Sequence, residues 1–376
     1  MTPEYERIAA ELEERDAEAF VHVGDRFDDD LRYLARFSGP DRPYAVVVER
    51  DGEPTLCAPR SFGEEARREF PGRVVTAGEQ DADTAGERAA ELIESGRVLV
   101  PQHLPHDAAL RLERAGCELA STDVVAGMRV RKSDDEIDRL RGMQQAAEAG
   151  MARAESILAA ADVADGRLHW EGEPLTTERL RREVNARLVR EGVSDAHNTV
   201  IGAGETCVDL HFTGDASIEA GETVLLDLSP RGPEGYYGDL SRTFVVESEG
   251  GWERRAYVAV ERARDAAFAV LSEGAGTVAG TVHEEAAAEL AAYGFRPDGE
   301  PGLTHGVGHG VGMSLHEAPS LRAETELEAG TVLTVEPGVY DAEEGGVRIE
   351  DLVVVREDGF ENLTGYPRSL VPRARE

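Results

Sequence analysis

The sequence predicts an α+β protein in two parts, a smaller mixed α/β unit over residues 1–127 and a larger unit over 128–376. Three observations predict it. A chain of 376 residues exceeds the length at which a single core stops growing, so it divides. Short apolar strands alternate with helical spacing in the first part, which suits a sheet carrying helices. In the second part the order helix, helix, strands occurs twice, a weak internal duplication that predicts two similar halves with helices outside and a site drawn from both.

Met1 to Phe20 reads as an acidic amphipathic helix carrying Ile8, Leu12 and Phe20, without the basic start and apolar centre of a secretion signal. Tyr44 to Glu49 and Thr55 to Ala58 read as strands joined by the turn Arg50-Asp51-Gly52-Glu53. Glu87 to Ser95 has helical spacing, and Arg97 to Val100 is a short strand leading to Pro101. The join falls at Gly127 to Lys132, because Ser133 followed by Glu136 is a capping-box start for a helix to about Ala161. Helices near 134–161 and 176–191 then precede strands across 198–247, and helices near 253–272 and 281–293 precede strands across 304–355.

Acidic side chains number 75 against 40 basic ones, a formal charge of −35. Such a surface repels phosphate backbones and anionic lipid, which argues against nucleic-acid and membrane-surface partners. No apolar run approaches the roughly 20 residues of a membrane-spanning helix. Lys132 is the sole lysine and arginine supplies every other cation, a balance that resembles proteins of salt-loaded cytoplasms. Cys57, Cys117 and Cys207 are odd in number and follow no ligand spacing, so they read as core residues of a protein in a reducing cytoplasm.

Most acids of such a chain carry no message, but four stand in apolar strand contexts. Asp227 lies in Val224-Leu225-Leu226-Asp227-Leu228, Glu336 in Val332-Leu333-Thr334-Val335-Glu336-Pro337, and Glu350 in Val347-Arg348-Ile349-Glu350-Asp351-Leu352-Val353. Asp239 opens a further strand. A carboxylate there needs a cation or strong donors nearby. Pairing with Arg242 and Arg348, or exposure on a half-buried strand, would satisfy any single one. The segment His305-Gly306-Val307-Gly308-His309-Gly310-Val311-Gly312, with His316 after it, shifts the balance, because three of the ten histidines fall within twelve positions. Its alternating glycines suit an extended backbone pressed against something. They do not form G-x-G-x-x-G, since Val311 stands where glycine is needed, and His316-Glu317 lacks the second histidine of H-E-x-x-H at Ser320. Four carboxylates and one imidazole suggest two divalent cations, Mn²⁺ or Co²⁺ before Zn²⁺ or Fe²⁺.

Asp227, Asp239-Leu240-Ser241-Arg242-Thr243-Phe244, His305-(x)3-His309-(x)6-His316-Glu317, Glu336-Pro337-Gly338 and Arg348-Ile349-Glu350-Asp351 together resemble the pita-bread metallopeptidase family M24, in its Xaa-Pro branch of prolidases and aminopeptidase P. The spacings are 12, 70, 27 and 14 residues between positions 227, 239, 309, 336 and 350. Leu31 to Ser38 resembles the smaller amino-terminal domain of the same branch. The resemblance implies a pita-bread domain with a pseudo-twofold duplication, and Asp227, Asp239, His309, Glu336 and Glu350 as metal ligands, with Asp239 and Glu350 bridging. It also implies Glu336 as acid/base, His211 facing substrate, and His316 stabilising the tetrahedral intermediate. Arg348 is expected to hold Glu350 in place, and His305 to line the pocket or pack in the core. Two departures stand out: Ser229 where the family commonly has glycine, and a loop from Pro230 to Gly238 without a match.

The expected activity is hydrolysis of the bond between an amino-terminal residue and proline, on peptides with proline second, by a cytoplasmic homodimer. The alternatives are an aminopeptidase of the same fold without proline preference and a non-catalytic binding protein.

Overall fold

A computed structural model describes residues 4–77 and 84–375. Met1 to Pro3, the start of the expected first helix, lie outside them, as does Glu376. The chain forms two compact units, Met1–Arg129 and Val130–Glu376.

In the first unit, α1 (Tyr5–Glu14) buries Ile8 and Leu12 and ends before Asp16, whose φ is +49°. The expected helix is therefore shorter, and Phe20 lies on a strand. Residues 19–24 are rich in the β-branched and aromatic side chains that fit a buried sheet. The strands are β1 (Ala19–Gly24), β2 (Tyr44–Glu49), β3 (Pro54–Ala58), β4 (Arg73–Thr76), β5 (Gly96–Pro101) and β6 (Cys117–Thr122), in the order β4-β3-β2-β1-β5-β6. β2 and β3 form the expected hairpin, with Gly52 at φ +80° in its turn. The helices are α2 (Asp29–Ala35), α3 (Gly63–Glu69), α4 (Ala85–Ala90), α5 (His106–Arg114) and α6 (Val124–Val130). α4 begins earlier than its apolar spacing indicates because Thr84 and Glu87 close a capping box there.

The second unit opens on α7 (Asp134–Ala159), started by the Ser133–Glu136 capping box. A small sheet of β7 (Asp162–Ala164), β8 (Arg167–Trp170) and β9 (Glu173–Pro174) follows, then α8 (Thr177–Arg190) and the antiparallel sheet β10 (Thr199–Ala203), β11 (Thr223–Leu228) and β12 (Leu240–Val245). The pattern repeats with α9 (Trp252–Leu271), α10 (Ala279–Ala292) and the strands β13 (His309–Gly310), β14 (Glu317–Ser320), β15 (Val332–Val335), β16 (Gly338–Asp341), β17 (Gly345–Arg348), β18 (Asp351–Val355) and β19 (Phe360–Asn362). Five of these make the sheet β14-β13-β15-β18-β19, while β16 and β17 pair separately. Each half has its own core, Met151, Leu180, Leu226 and Phe244 in one and Val260, Val282, Leu333 and Val353 in the other. This is the duplicated pita-bread plan.

The halves meet where β12 runs beside residues 348–350. Glu350 donates its N–H to Ser241 O (3.1 Å), and the Thr243 hydroxyl accepts from Arg348 N (3.0 Å). Arg242 crosses this seam fully buried, donating to Glu350 O, to Tyr366 O (2.8 Å) and to Asp351 Oδ1 (2.7 Å). Its partner is thus Asp351, shared with Arg264, and none of the four strand-context acids.

Candidate metal centre

The seam opens into a cavity of about 320 Å³. Asp227, Asp239, His309, Glu336 and Glu350 line it, together with His211, His305, His316 and Arg348. Of the four acids only Asp227 lies inside a strand. Asp239 precedes β12, Glu336 follows β15 where Pro337 ends the ladder, and Glu350 sits between β17 and β18. Strand ends leave these side chains free to converge.

Oxygen or nitrogen atoms of Asp239, His309 and Glu350 lie within 4.8 Å of one another. His309 Nδ1 faces Gly310 O at 3.0 Å, which turns Nε2 toward the acids, 3.4 Å from Glu336 and 3.8 Å from Asp239. Burial, then the charges of Glu350, Asp227 and Glu336, push Asp239 well above the usual carboxylate range. Burial followed by Glu336 and Asp227 pushes Glu350 up to about 8, and burial pushes Glu336 up to about 7 against the pull of Arg348. The Arg348 guanidinium donates to Asp227 Oδ2 (2.5 Å), Ser241 Oγ (2.8 Å) and Tyr340 Oη (3.0 Å). One arginine leaves most of this buried negative charge unbalanced, and Asp227 Oδ1 is buried with no hydrogen-bond partner among the described residues. An excess of carboxylates, a bare oxygen and an inward imidazole nitrogen fit divalent cations.

Residues 138–357 match metallopeptidase family M24. The chain belongs to this family. It is 29% identical over 254 residues to the probable dipeptidase PepE of Mycobacterium tuberculosis, a stretch covering 67% of this chain and 63% of PepE, so it spans less than two thirds of that relative. It is 33% identical over 249 residues to the Xaa-Pro dipeptidase of Pyrococcus furiosus, covering 64% of this chain and 68% of that one. Among solved structures it resembles the prolidase from Pyrococcus horikoshii, with a TM-score of 0.83, 25% identity and coverage of 98% of this chain and 99% of the other.

Within this M24 centre Arg348 does not hold Glu350 directly, as expected from sequence. It grips Asp227 and reaches Glu350 through Ser241, whose hydroxyl donates to Glu350 Oε2 (2.8 Å). His305 lines the pocket. Its Nε2 accepts from the Tyr340 hydroxyl (2.9 Å), its Nδ1 donates to Gly306 O (2.7 Å), and burial beside Arg348 lowers it to about 3, so the ring is neutral. The His316 ring lies tilted against that of His309, 4.3 Å between centroids, and partial burial lowers its pKa too. His211 is exposed at the mouth.

The glycine segment is held by close backbone approach. A Cβ on Gly308 would lie 2.1 Å from Thr334 O, one on Gly310 2.2 Å from Ala318 O, and one on Gly312 2.2 Å from the Glu317 carboxylate. Glu317, next to His316, also pairs at 2.5 Å with Lys132, which is buried. A single lysine among arginines, just before the capping serine, was the available signal for this pair. The M24 departure at Ser229 has a structural counterpart as well: its hydroxyl donates to Asp239 Oδ1 (2.9 Å) and accepts from Asn198 (3.1 Å). The Pro230–Gly238 loop donates Tyr237 N–H to Gly312 O (3.0 Å). Gln144, from α7, brackets the Asp239 backbone with two hydrogen bonds (2.8 and 2.9 Å). No local spacing announces Gln144 or Tyr340.

Proposed function

We propose that this protein hydrolyses the peptide bond between an amino-terminal residue and proline, using divalent cations held by Asp227, Asp239, His309, Glu336 and Glu350. The observation that carries the reading is the convergence of four carboxylates and one imidazole, from two halves of the fold, around a single arginine in one cavity. When bound, two such ions polarise the scissile carbonyl and supply nucleophilic water at neutral pH. Asp239 and Glu350, positioned by the Ser229 and Ser241 hydroxyls, would help to hold the ions. Glu336, raised to about 7, is suited to take a proton from water and return it to the leaving nitrogen. His316 donates to the carbonyl oxygen as it becomes negative. His211 and the neutral His305 face the substrate, and Arg348 holds Asp227 in orientation.

The likeness to the Xaa-Pro dipeptidase of Pyrococcus furiosus and the prolidase of Pyrococcus horikoshii supports the proline preference. The likeness to PepE, a probable dipeptidase, supports the second reading, a peptidase of the same fold without that preference. Oxygen-rich donors with one nitrogen favour Mn²⁺ or Co²⁺. The free, buried Cys57, Cys117 and Cys207 and the −35 charge support a reducing, salt-loaded cytoplasm, and the proposed assembly is a homodimer. Comparing kcat/KM on Xaa-Pro dipeptides, Xaa-Pro tripeptides and proline-free dipeptides tests the reading: preference for the first two supports it, and equal rates on all three favour the second.

A further inference from the structure

The first unit gathers a second group of metal-ligating side chains. β1 and β5 are parallel neighbours in its sheet, with Phe20 opposite Leu99, so their carboxyl ends open at one edge, where sheets of this kind take ligands. His22 comes from β1, Asp28 and Asp30 from the entry to α2, and His103 from two residues beyond β5. Sequence spacing gives no hint of this, since 81 positions separate the two histidines.

Ligand atoms of His22, Asp30 and His103 lie within 4.8 Å of one another. His22 is fully buried in a strand otherwise made of Ala, Phe, Val and Gly. Its Nε2 meets Asp28 Oδ1 at 2.8 Å, while Nδ1 has no hydrogen-bond partner among the described residues. The His103 ring stands edge-on to it, 5.1 Å between centroids. His103 Nε2 is 3.6 Å from Asp28 Oδ2 and 3.8 Å from Asp30 Oδ2. Arg129 occupies the other Asp30 oxygen at 2.5 Å, so two carboxylates face one guanidinium and the cluster keeps net negative charge when both imidazoles are neutral.

We propose that His22, Asp30 and His103, with Asp28 beside them, form a second metal site, of the zinc class, separate from the centre of the larger unit. Two imidazoles with carboxylates are a borderline donor set that selects Zn²⁺ or Co²⁺ over Mg²⁺ or Ca²⁺. His103 is 56% exposed, which gives an ion a path in and makes this ligand removable without touching the core.

Full-length protein is loaded with Zn²⁺, freed of loose ion by gel filtration, and its zinc counted by elemental analysis. His103→Ala is expected to hold about one zinc per chain fewer than the wild type, His103→Cys to retain it, and Xaa-Pro hydrolysis to stay unchanged in both. The same loss is expected when His103→Ala is made in an Asp239→Asn background, whose other centre is disabled. Equal zinc in wild type and His103→Ala overturns the site. A loss that vanishes in the Asp239→Asn background also overturns it, because the ion then belongs to the other centre.

Discussion

The two halves of the larger unit share a plan of two helices over strands, yet they hold their cavity-facing side chains by different means. The first half presents Asp227 on a regular antiparallel sheet and Asp239 just ahead of β12, and steadies Asp239 with side chains, Gln144 on its backbone and Ser229 on its carboxylate. The second half presents His309, Glu336 and Glu350 from strand ends and steadies His309 with main chain, through glycines that admit Thr334 O and Ala318 O. Duplication thus supplies the scaffold twice, while the donors and their supports diverge. Arg348 joins the two sets, reaching from the second half to Asp227 in the first.

The largest effect should come from breaking the first half. Asp239→Asn removes a charge from the shared set, and activity is expected to vanish with a loss of bound metal measured by elemental analysis. Retained metal and activity would show that the second half suffices.

The histidines sharpen the contrast within the second half. His316→Ala removes a donor to developing negative charge and should lower kcat on the order of 10²–10³-fold with metal content intact. His309→Ala should instead lose metal, and excess Mn²⁺ should restore part of its rate but none of that lost in His316→Ala. Two stable variants with wild-type kcat would reduce both rings to packing.

Lys132→Met tests how the His316 segment is anchored. It removes the buried cation that pairs with the Glu317 carboxylate, so the melting temperature should fall clearly. An unchanged melting curve would mean that the pair holds nothing in place.

A smaller effect concerns pH. Glu336 at about 7 and Glu350 at about 8 stand above their ordinary 4.5, so the folded metal-free chain holds protons that the unfolded chain releases. Their contribution to stability is therefore lost as pH rises from 4.5 towards 8. Chelator-treated protein should melt lower at pH 8 than at pH 5, and Glu350→Gln should flatten the slope; a rise in stability over that range would contradict the assigned burial.

The acids that gather in the cavity were legible in sequence because a carboxylate within an apolar run is costly and therefore conspicuous, as at Asp227 and Glu350. The Ser133 cap was legible because its partner is three residues away. Ser241, Tyr340 and Gln144 were not, since their roles depend on tertiary pairing: Gln144 lies 95 positions from Asp239, Tyr340 35 from His305 and Ser241 109 from Glu350. Phe20 was misplaced on a helix because one apolar residue at the right spacing does not show that Asp16 ends the turn.

The most direct test of a two-half metal centre is to titrate metal-free protein with Mn²⁺ while following hydrolysis of an Xaa-Pro dipeptide. The rate should be nil without the ion and should saturate only after a second ion binds the set formed by Asp227, Asp239, His309, Glu336 and Glu350. A full rate in the presence of chelator, or none at any concentration of Mn²⁺ or Co²⁺, would contradict the account.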